Sequence, residues 1–432
     1  MKFKYIDWYS SFVVASVFGS FFLLWFYVKS SFVLFLDLLG CSVSFCSYFV
    51  FDLVGFYLSL LSLILFFVLL FFFGSISSRS LFYVSVSMVS SLFCYCSNHA
   101  FLFWWFYEVS MLSLLFLLVV ESPYSERYLA GWYLAGYVVL TSLPMLLCLI
   151  YFSCLSGSLF MSDWIGLYSY DSTVGFSVLL LLGVLFVTKI PVPPFHTWLP
   201  IVHAEATSVV SVCLSGYVMK LGLLGVCRFC WFVLPDSLFG DIYVVVSFFL
   251  AIVFFLAASW ELDGKRWLAL LSLSHMIICV VCFNSCGYDS CWLLFVYSLG
   301  HGLSAGVVFI FLWLGYNLSG SRNWMILKFV FGGSLFFRTL LCGSLCTVAS
   351  LPPVVQFFVE VSVLADVGYV SLINFLMFCM YLFFSSLMPF FFLGSLLSRH
   401  FCVSYNDSLC VANFSVCMIF VLVWSFILFL VV

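Results

Sequence analysis

Apolar runs of about 20 residues follow one another from end to end of the 432-residue chain, with only short polar breaks between them. A run of about 20 apolar residues is the length a helix needs to cross a bilayer's hydrocarbon core. A transmembrane barrel would instead show alternating segments of about 10 residues. The chain has 14 Lys and Arg and 17 Asp and Glu against 66% hydrophobic residues. Soluble domains carry about 25% charged residues, so a water-facing surface could not be covered here. Gly at 26 and Pro at 10 exclude collagen-like and disordered classes. The net charge is -3 and no basic block occurs, which excludes nucleic acid as a partner. The expectation is an all-α polytopic membrane protein with about 14 transmembrane helices.

The spans are placed at about 10–28, 31–50, 52–73, 81–97, 99–120, 129–154 and 174–199, then 206–232, 241–260, 267–283, 291–316, 331–366, 367–397 and 409–432. The N-terminal run lacks a small-residue cleavage site and is long enough to span, so it reads as a retained helix. Between spans the charge alternates. One set of loops carries Arg79, Arg127, Lys265, Arg266, Arg322, Lys328 and Arg399. The other carries Asp163, Asp171, Asp236, Asp241 and Asp289. Such alternation follows the positive-inside rule and puts the basic loops on the matrix or cytoplasmic side, with the C-terminus opposite. The rule leaves the second span open, because dropping it only moves Lys2 and Lys4 to the basic side and Lys29 to the other.

The seventh and twelfth spans are interrupted, by Pro191, Pro193 and Pro194 and by Pro352 and Pro353. Proline lacks the helix donor and clashes with the preceding turn, so both helices should break. Broken helices at membrane depth are tolerated where they line a polar cavity. Two breaks five spans apart suit two inverted five-helix repeats; two simple proline kinks are the plainer alternative. The resulting division is residues 1–80 for the N-terminal helices, 81–232 and 233–397 for the repeats, and 398–432 for a last helix.

Six ionisable residues stand inside apolar runs: Glu108, Lys189, Lys220, His275, His301 and Glu360. A charge at the bilayer centre costs about 2.5–3.5 kcal/mol even on the lenient insertion scale. These groups must therefore face one another, or water, within the bundle. Two carboxylates, two amines and two imidazoles are groups that can hand on a proton. Moving a carboxylate toward or away from a buried Lys changes how firmly that Lys holds its proton. A tenfold change in proton affinity is about 1.36 kcal/mol, and one charge moved across 100 mV is about 2.3 kcal/mol. The scales match, as a proton pump requires. Simpler readings stand beside this one. Glu108 with one Lys suits a structural ion pair, and His275 and His301 singly suit satisfied bundle residues. Lys265 and Arg266 follow Asp263 at a span boundary and read most simply as topology charges. His196 and His203 lie near the membrane surface after the proline break, as proton-uptake groups or merely interfacial ones.

The 19 Cys include two CxxC spacings, Cys227/Cys230 and Cys279/Cys282. Both lie in apolar runs and read as small apolar helix residues, so no metal or cluster site and no disulfide framework is expected. Phe is 57 while Gln occurs once, at Gln356, a skew that suggests a biased genome such as an organelle's.

The stretch VTKIPVPPFHTWLPIVHAEATSVVSVCLSGYVMKLGLLGVCRF resembles the core signature of the antiporter-like, proton-translocating subunits of respiratory complex I (NADH:ubiquinone oxidoreductase). A Lys precedes a proline-broken segment, H-x-WLP and H-x-E-A follow, and Lys220-Leu-Gly comes 31 residues after Lys189. Four further blocks resemble the chain 4 branch: WFYEVSMLS around Glu108, SERYLAGWYLAGYVVLTSLP at 125–144, DGKRWLALLSLSHM at 263–276 and GHGLSAGVVF from Gly300. ASLPPVVQFFVEVSVL resembles that branch's terminal carboxylate segment around Glu360. The matches run in order from about Phe103 to Leu364; the N-terminal 90 residues match poorly. Thr207 replaces the family's usual Pro, and Leu270 and Leu271 stand where Tyr and Ser are common.

The resemblance implies fourteen helices in two inverted repeats. It implies Glu108 and Lys189 as a coupled pair, Lys220 as the central proton-holding lysine, His275 and His301 along the midplane, and Glu360 as the terminal group. It implies no cofactor in this chain, with NADH, FMN, iron–sulfur clusters and ubiquinone handled by other subunits. No Gly-rich nucleotide loop is present, which agrees. Partners would be other membrane-arm subunits, including neighbouring antiporter-like ones, and membrane lipids, in the mitochondrial inner membrane. The alternatives are a sibling antiporter-like subunit, a multisubunit cation/proton antiporter component, or a non-conducting membrane scaffold. Siblings generally carry Lys where Glu360 stands. The largest adds a long lateral helix, whereas this chain ends at Val432 after a span. A scaffold would not need the titratable set.

Overall fold

The structure, a computed structural model, describes residues 43–72, 76–164, 173–230, 239–285, 291–331, 335–398 and 408–431. The first expected span, 10–28, and most of the second lie outside the described residues. The end of the second, 43–50, is not helical. Strand β1 (Val43–Cys46) pairs antiparallel with β2 (Phe49–Phe51). Asn98 fixes the hairpin turn, its N–H donating to Tyr48 O at 2.8 Å and its Nδ2 to Ser47 O at 3.2 Å. Asp52 then starts helix α1 (Leu53–Phe71), its Oδ1 accepting from Gly55 N at 2.8 Å. The cap explains why helix begins here and not earlier.

Every expected span from the third onward has its helix, within a few residues at most ends. The helices are α2 (Ser78–Cys96), α3 (Ala100–Glu121), α4 (Arg127–Ser156), α5 (Thr173–Val187), α6 (Trp198–Glu205) and α7 (Ser208–Cys230). Then follow α8 (Asp241–Trp260), α9 (Gly264–Ser285), α10 (Cys291–Ser319), α11 (Trp324–Phe331) and α12 (Leu335–Val348). The last are α13 (Val355–Val370), α14 (Leu372–Leu397) and α15 (Ser408–Ile427). Among the described residues nine helices are long and apolar enough to cross a membrane. Two differences from the expected layout are local. The short α11 was not anticipated. The twelfth span ends at Val370, not residue 366, because Ser371 is extended and caps α14 by accepting from Asn374 N at 3.1 Å.

α5 with α6, and α12 with α13, are the two broken spans. With the eight-residue α11 set aside as too short to span, each is the fourth of a run of five, α2–α7 and α8–α14. An odd number of spans makes the second run begin on the opposite side from the first, which is the inverted arrangement. The apolar windows of α7 and α10 are wholly enclosed, whereas those of α4, α8 and α14 are only about a third buried. α10 packs against α1, α9, α13, α15 and the first π-helical stretch of α7. Lys220 on α7 and His301 on α10 therefore lie at the enclosed centre.

Candidate functional site

At the first break the prolines remove donors and the last turn of α5 tightens. Lys189 N donates to Phe186 O at 3.1 Å and Ile190 N to Val187 O at 3.0 Å. Thr188 Oγ1 returns to Leu185 O at 2.7 Å. Lys189 thus sits on the broken edge and reaches α3, where its Nζ is 3.1 Å from Glu108 Oε1. Both side chains are buried, at 2% and 8% exposure. The ring of Tyr107 lies 4.3 Å from Nζ and adds a cation–π contact. Removing either partner of a buried pair leaves a charge uncompensated, at about 3–5 kcal/mol.

Lys220 lies on α7 between two π-helical stretches, Leu214–Val218 and Val226–Cys230. Such turns change the i→i−4 ladder and recur at functional sites. Here Lys220 Nζ donates to Ser215 O, five residues back, and lies 3.1 Å from His301 Nδ1 on α10. A protonated Lys220 requires Nδ1 to be the acceptor, so the imidazole is neutral in that state. The rings of His301 and His275 are 6.2 Å apart. His275 Nδ1 is 3.0 Å from the Tyr381 hydroxyl, and Tyr297 donates to His275 O at 3.1 Å. Glycines permit these close approaches. A Cβ on Gly302 would meet Gly216 O at 3.1 Å, and one on Gly222 would meet Phe186 O at 3.0 Å.

At the second break α12 stops at Val348 and α13 resumes at Val355. Glu360 is 3% exposed and its Oε1 accepts from Ser350 Oγ at 2.9 Å. Gln356, with its amide oriented to satisfy both ends, donates to Thr347 O at 3.0 Å and accepts from His301 N at 3.3 Å.

The six expected residues therefore form three groups: Glu108 with Lys189; Lys220 with His301 and, through ring proximity, His275; and Glu360 at its own break. Sequence reasoning missed Tyr107, Tyr297, Tyr381, Ser350 and Gln356. A tyrosine deep in an apolar run needs a partner for its hydroxyl, so Tyr381 in NFLMFCMYLFFSS carried a usable signal. Gln356, the one glutamine, carried another.

Two residues at span ends are more enclosed than their positions suggest. Lys265 is 3% exposed and donates to Ala206 O at 2.7 Å, whereas Arg266 is exposed. His203 is not interfacial but fully enclosed, its ring stacked on Phe309 at 5.0 Å. The cause is the end of α6, whose last carbonyls draw donors inward. Arg322 donates to Ala204 O, Ser122 to Glu205 O and Lys265 to Ala206 O. Cations at a helix C-terminus complement its dipole. Arg322 also pairs with Asp263 at 3.3 Å and stacks on Tyr124 at 4.2 Å. Burial pushes the Tyr124 phenol up to about 12, against the opposing pull of Arg322, so it remains neutral. His196 is half-buried against Phe254 at 5.0 Å. Cys227, Cys230, Cys279 and Cys282 are buried in α7 and α9. Among the described residues no three His, Cys, Asp or Glu side chains gather as metal ligands would.

The family model described as NADH:quinone oxidoreductase/Mrp antiporter, TM, matches residues 97–388. The NADH-ubiquinone oxidoreductase chain 4 of Rhipicephalus sanguineus is 28% identical over 308 residues, covering 70% of this chain and 69% of that one. The protein of the same name from Locusta migratoria is 32% identical over 250 residues, covering 55% and 53%. Against these relatives the chain thus spans from about half to about two thirds of their length. A chain of respiratory complex I from Thermus thermophilus with bound NADH has the same fold, with a TM-score of 0.77 at 19% identity, covering 88% of this chain and 82% of that chain.

Proposed function

The chain belongs to the NADH:quinone oxidoreductase/Mrp antiporter transmembrane family, and from that premise we propose that it is a proton-translocating membrane-arm subunit of mitochondrial NADH:ubiquinone oxidoreductase. On this reading NADH oxidation and quinone reduction take place in other subunits, and this chain moves protons through the buried Glu/Lys/His relay. It sits in the mitochondrial inner membrane beside other membrane-arm subunits, neighbouring antiporter-like ones among them. One observation supports this most: lysines buried in the helix bundle, each at a helix irregularity, each with a partner that can accept its proton. Glu108 faces Lys189 at 3.1 Å, and His301 faces Lys220 at 3.1 Å. A scaffold has no use for that expensive set.

The roles follow from the contacts. Glu108 steadies a proton on Lys189, and separating the pair loosens it. Lys220 hands a proton to His301 Nδ1, and the imidazole releases one from its other nitrogen toward His275. Tyr381 hydrogen-bonds His275, and Glu360 at the second break is the terminal carrier. The test uses the complex purified on a native gel, where the chain co-migrates with NADH-oxidising activity. Within it, Glu360→Gln abolishes proton uptake with assembly intact, and Glu360→Asp keeps partial activity limited by reach. A merely structural carboxylate predicts the reverse order, since Gln preserves packing better than the shorter Asp. A Gln variant that pumps better than the Asp variant contradicts the reading.

A further inference from the structure

Ser350 has φ 53, in the left-handed region. It ends α12 at the position where glycine usually stands, with Ser350 N donating to Thr347 O at 3.3 Å and Leu351 N to Cys346 O at 3.2 Å. A Cβ is disfavoured in that backbone conformation. What the side chain does there is reach ten residues on, across the break, to Glu360 Oε1 at 2.9 Å. Ser350 is 4% exposed and Glu360 3%. Among the described residues no ion pair reaches Glu360, in contrast to Glu108. We propose that Ser350 is a positioning residue that holds the Glu360 carboxyl group against the second break through its hydroxyl.

The chemistry suits a carboxyl that changes state. A hydroxyl rotates: it donates to a carboxylate and accepts from a carboxylic acid. The same contact therefore survives whichever of the two oxygens carries the proton, whereas an ammonium or a backbone N–H can only donate. The frame around it is also fixed. Gln356 joins Thr347 O on α12 to His301 N on α10, and Gly300 makes the room, since a Cβ there would meet Gln356 Cγ at 2.7 Å. The break that carries Ser350 is thus anchored to the backbone of the relay histidine, and Glu360 is held in register with it. The inference rests on Glu360 being the terminal proton carrier, as proposed above.

The test uses the intact complex in vesicles with Ser350→Gly and Ser350→Ala, and Glu360→Gln as reference. Glycine suits the backbone conformation, so the Gly variant removes the hydroxyl without disturbing the turn. Two quantities are read: the rate of NADH-driven proton uptake, and the infrared carboxyl C=O band of Glu360, identified as the one absent in Glu360→Gln. Both Ser350 variants are expected to displace that band and to slow uptake by about tenfold, the value of a hydrogen bond to a charged group. An unmoved band in Ser350→Gly, or a moved band with wild-type uptake, overturns the proposal while Glu360→Gln still fails to pump. If Glu360→Gln pumps normally, the role of Glu360 and of Ser350 fall together.

Discussion

Lys189 and Lys220 stand 31 residues apart and are held by different partners. Lys189 faces a carboxylate that fixes its charge, while Lys220 faces a backbone carbonyl and an imidazole that can take its proton. The first lysine therefore responds to displacement of Glu108, and the second to the state of His301. If Glu108 and Lys189 share one interaction, Glu108→Gln and Lys189→Met are not additive. A double-mutant cycle on turnover of the assembled complex should give a coupling of about 0.5–3 kcal/mol, the double mutant being milder than the product of the singles. Strict additivity means that the two do not touch in the working protein. All six titratable residues were legible because a charge in an apolar run is rare and costly. Ser350 and Tyr381 were harder to read. Serine occurs throughout these helices and mostly bonds its own preceding turn, as Ser90 and Ser298 do at 2.7 and 2.8 Å. A serine that reaches another element has the same sequence signature as those that do not.

Element boundaries followed the prolines and caps. Both breaks fall where Pro191–Pro194 and Pro352–Pro353 remove donors, since proline acts locally and visibly. The π turns around Lys220 left no such mark, because they arise from how α7 is packed and not from a residue type. The burial of Lys265 was hidden for a related reason: position at a span end does not say whether the neighbouring end, here α6, folds over it. The packing of α7 on the first break is testable. A Cβ on Gly225 would lie 2.1–2.6 Å from Phe186 ring atoms, and one on Gly222 3.0 Å from Phe186 O, whereas one on Gly394 of α14 meets nothing within 4 Å. Gly222→Ala and Gly225→Ala should each destabilise the subunit by about 1–3 kcal/mol through overpacking. Gly394→Ala should be neutral or stabilising by up to about 1 kcal/mol. Thermal unfolding of the purified complex separates them. Equal midpoints for Gly225→Ala and Gly394→Ala would mean that α7 does not press on the break.

At the scale of the whole molecule, the expected spans from the third onward have helices among the described residues because span length and loop charge are set by the bilayer itself. The 43–51 hairpin escaped it, since an apolar stretch is ambiguous until its hydrogen-bond partners, here on Asn98, are known. What the architecture adds is enclosure. α7 and α10 are the buried centre, and they carry Lys220 and His301 in contact across it. A proton crossing this subunit along the line of buried groups has to pass that contact. The most direct measurement is therefore proton uptake per NADH oxidised by vesicles containing the intact complex with Lys220→Ala. The account predicts a fully assembled complex whose proton uptake through this subunit is lost. Uptake at the wild-type yield per NADH, from an assembled complex, would contradict it.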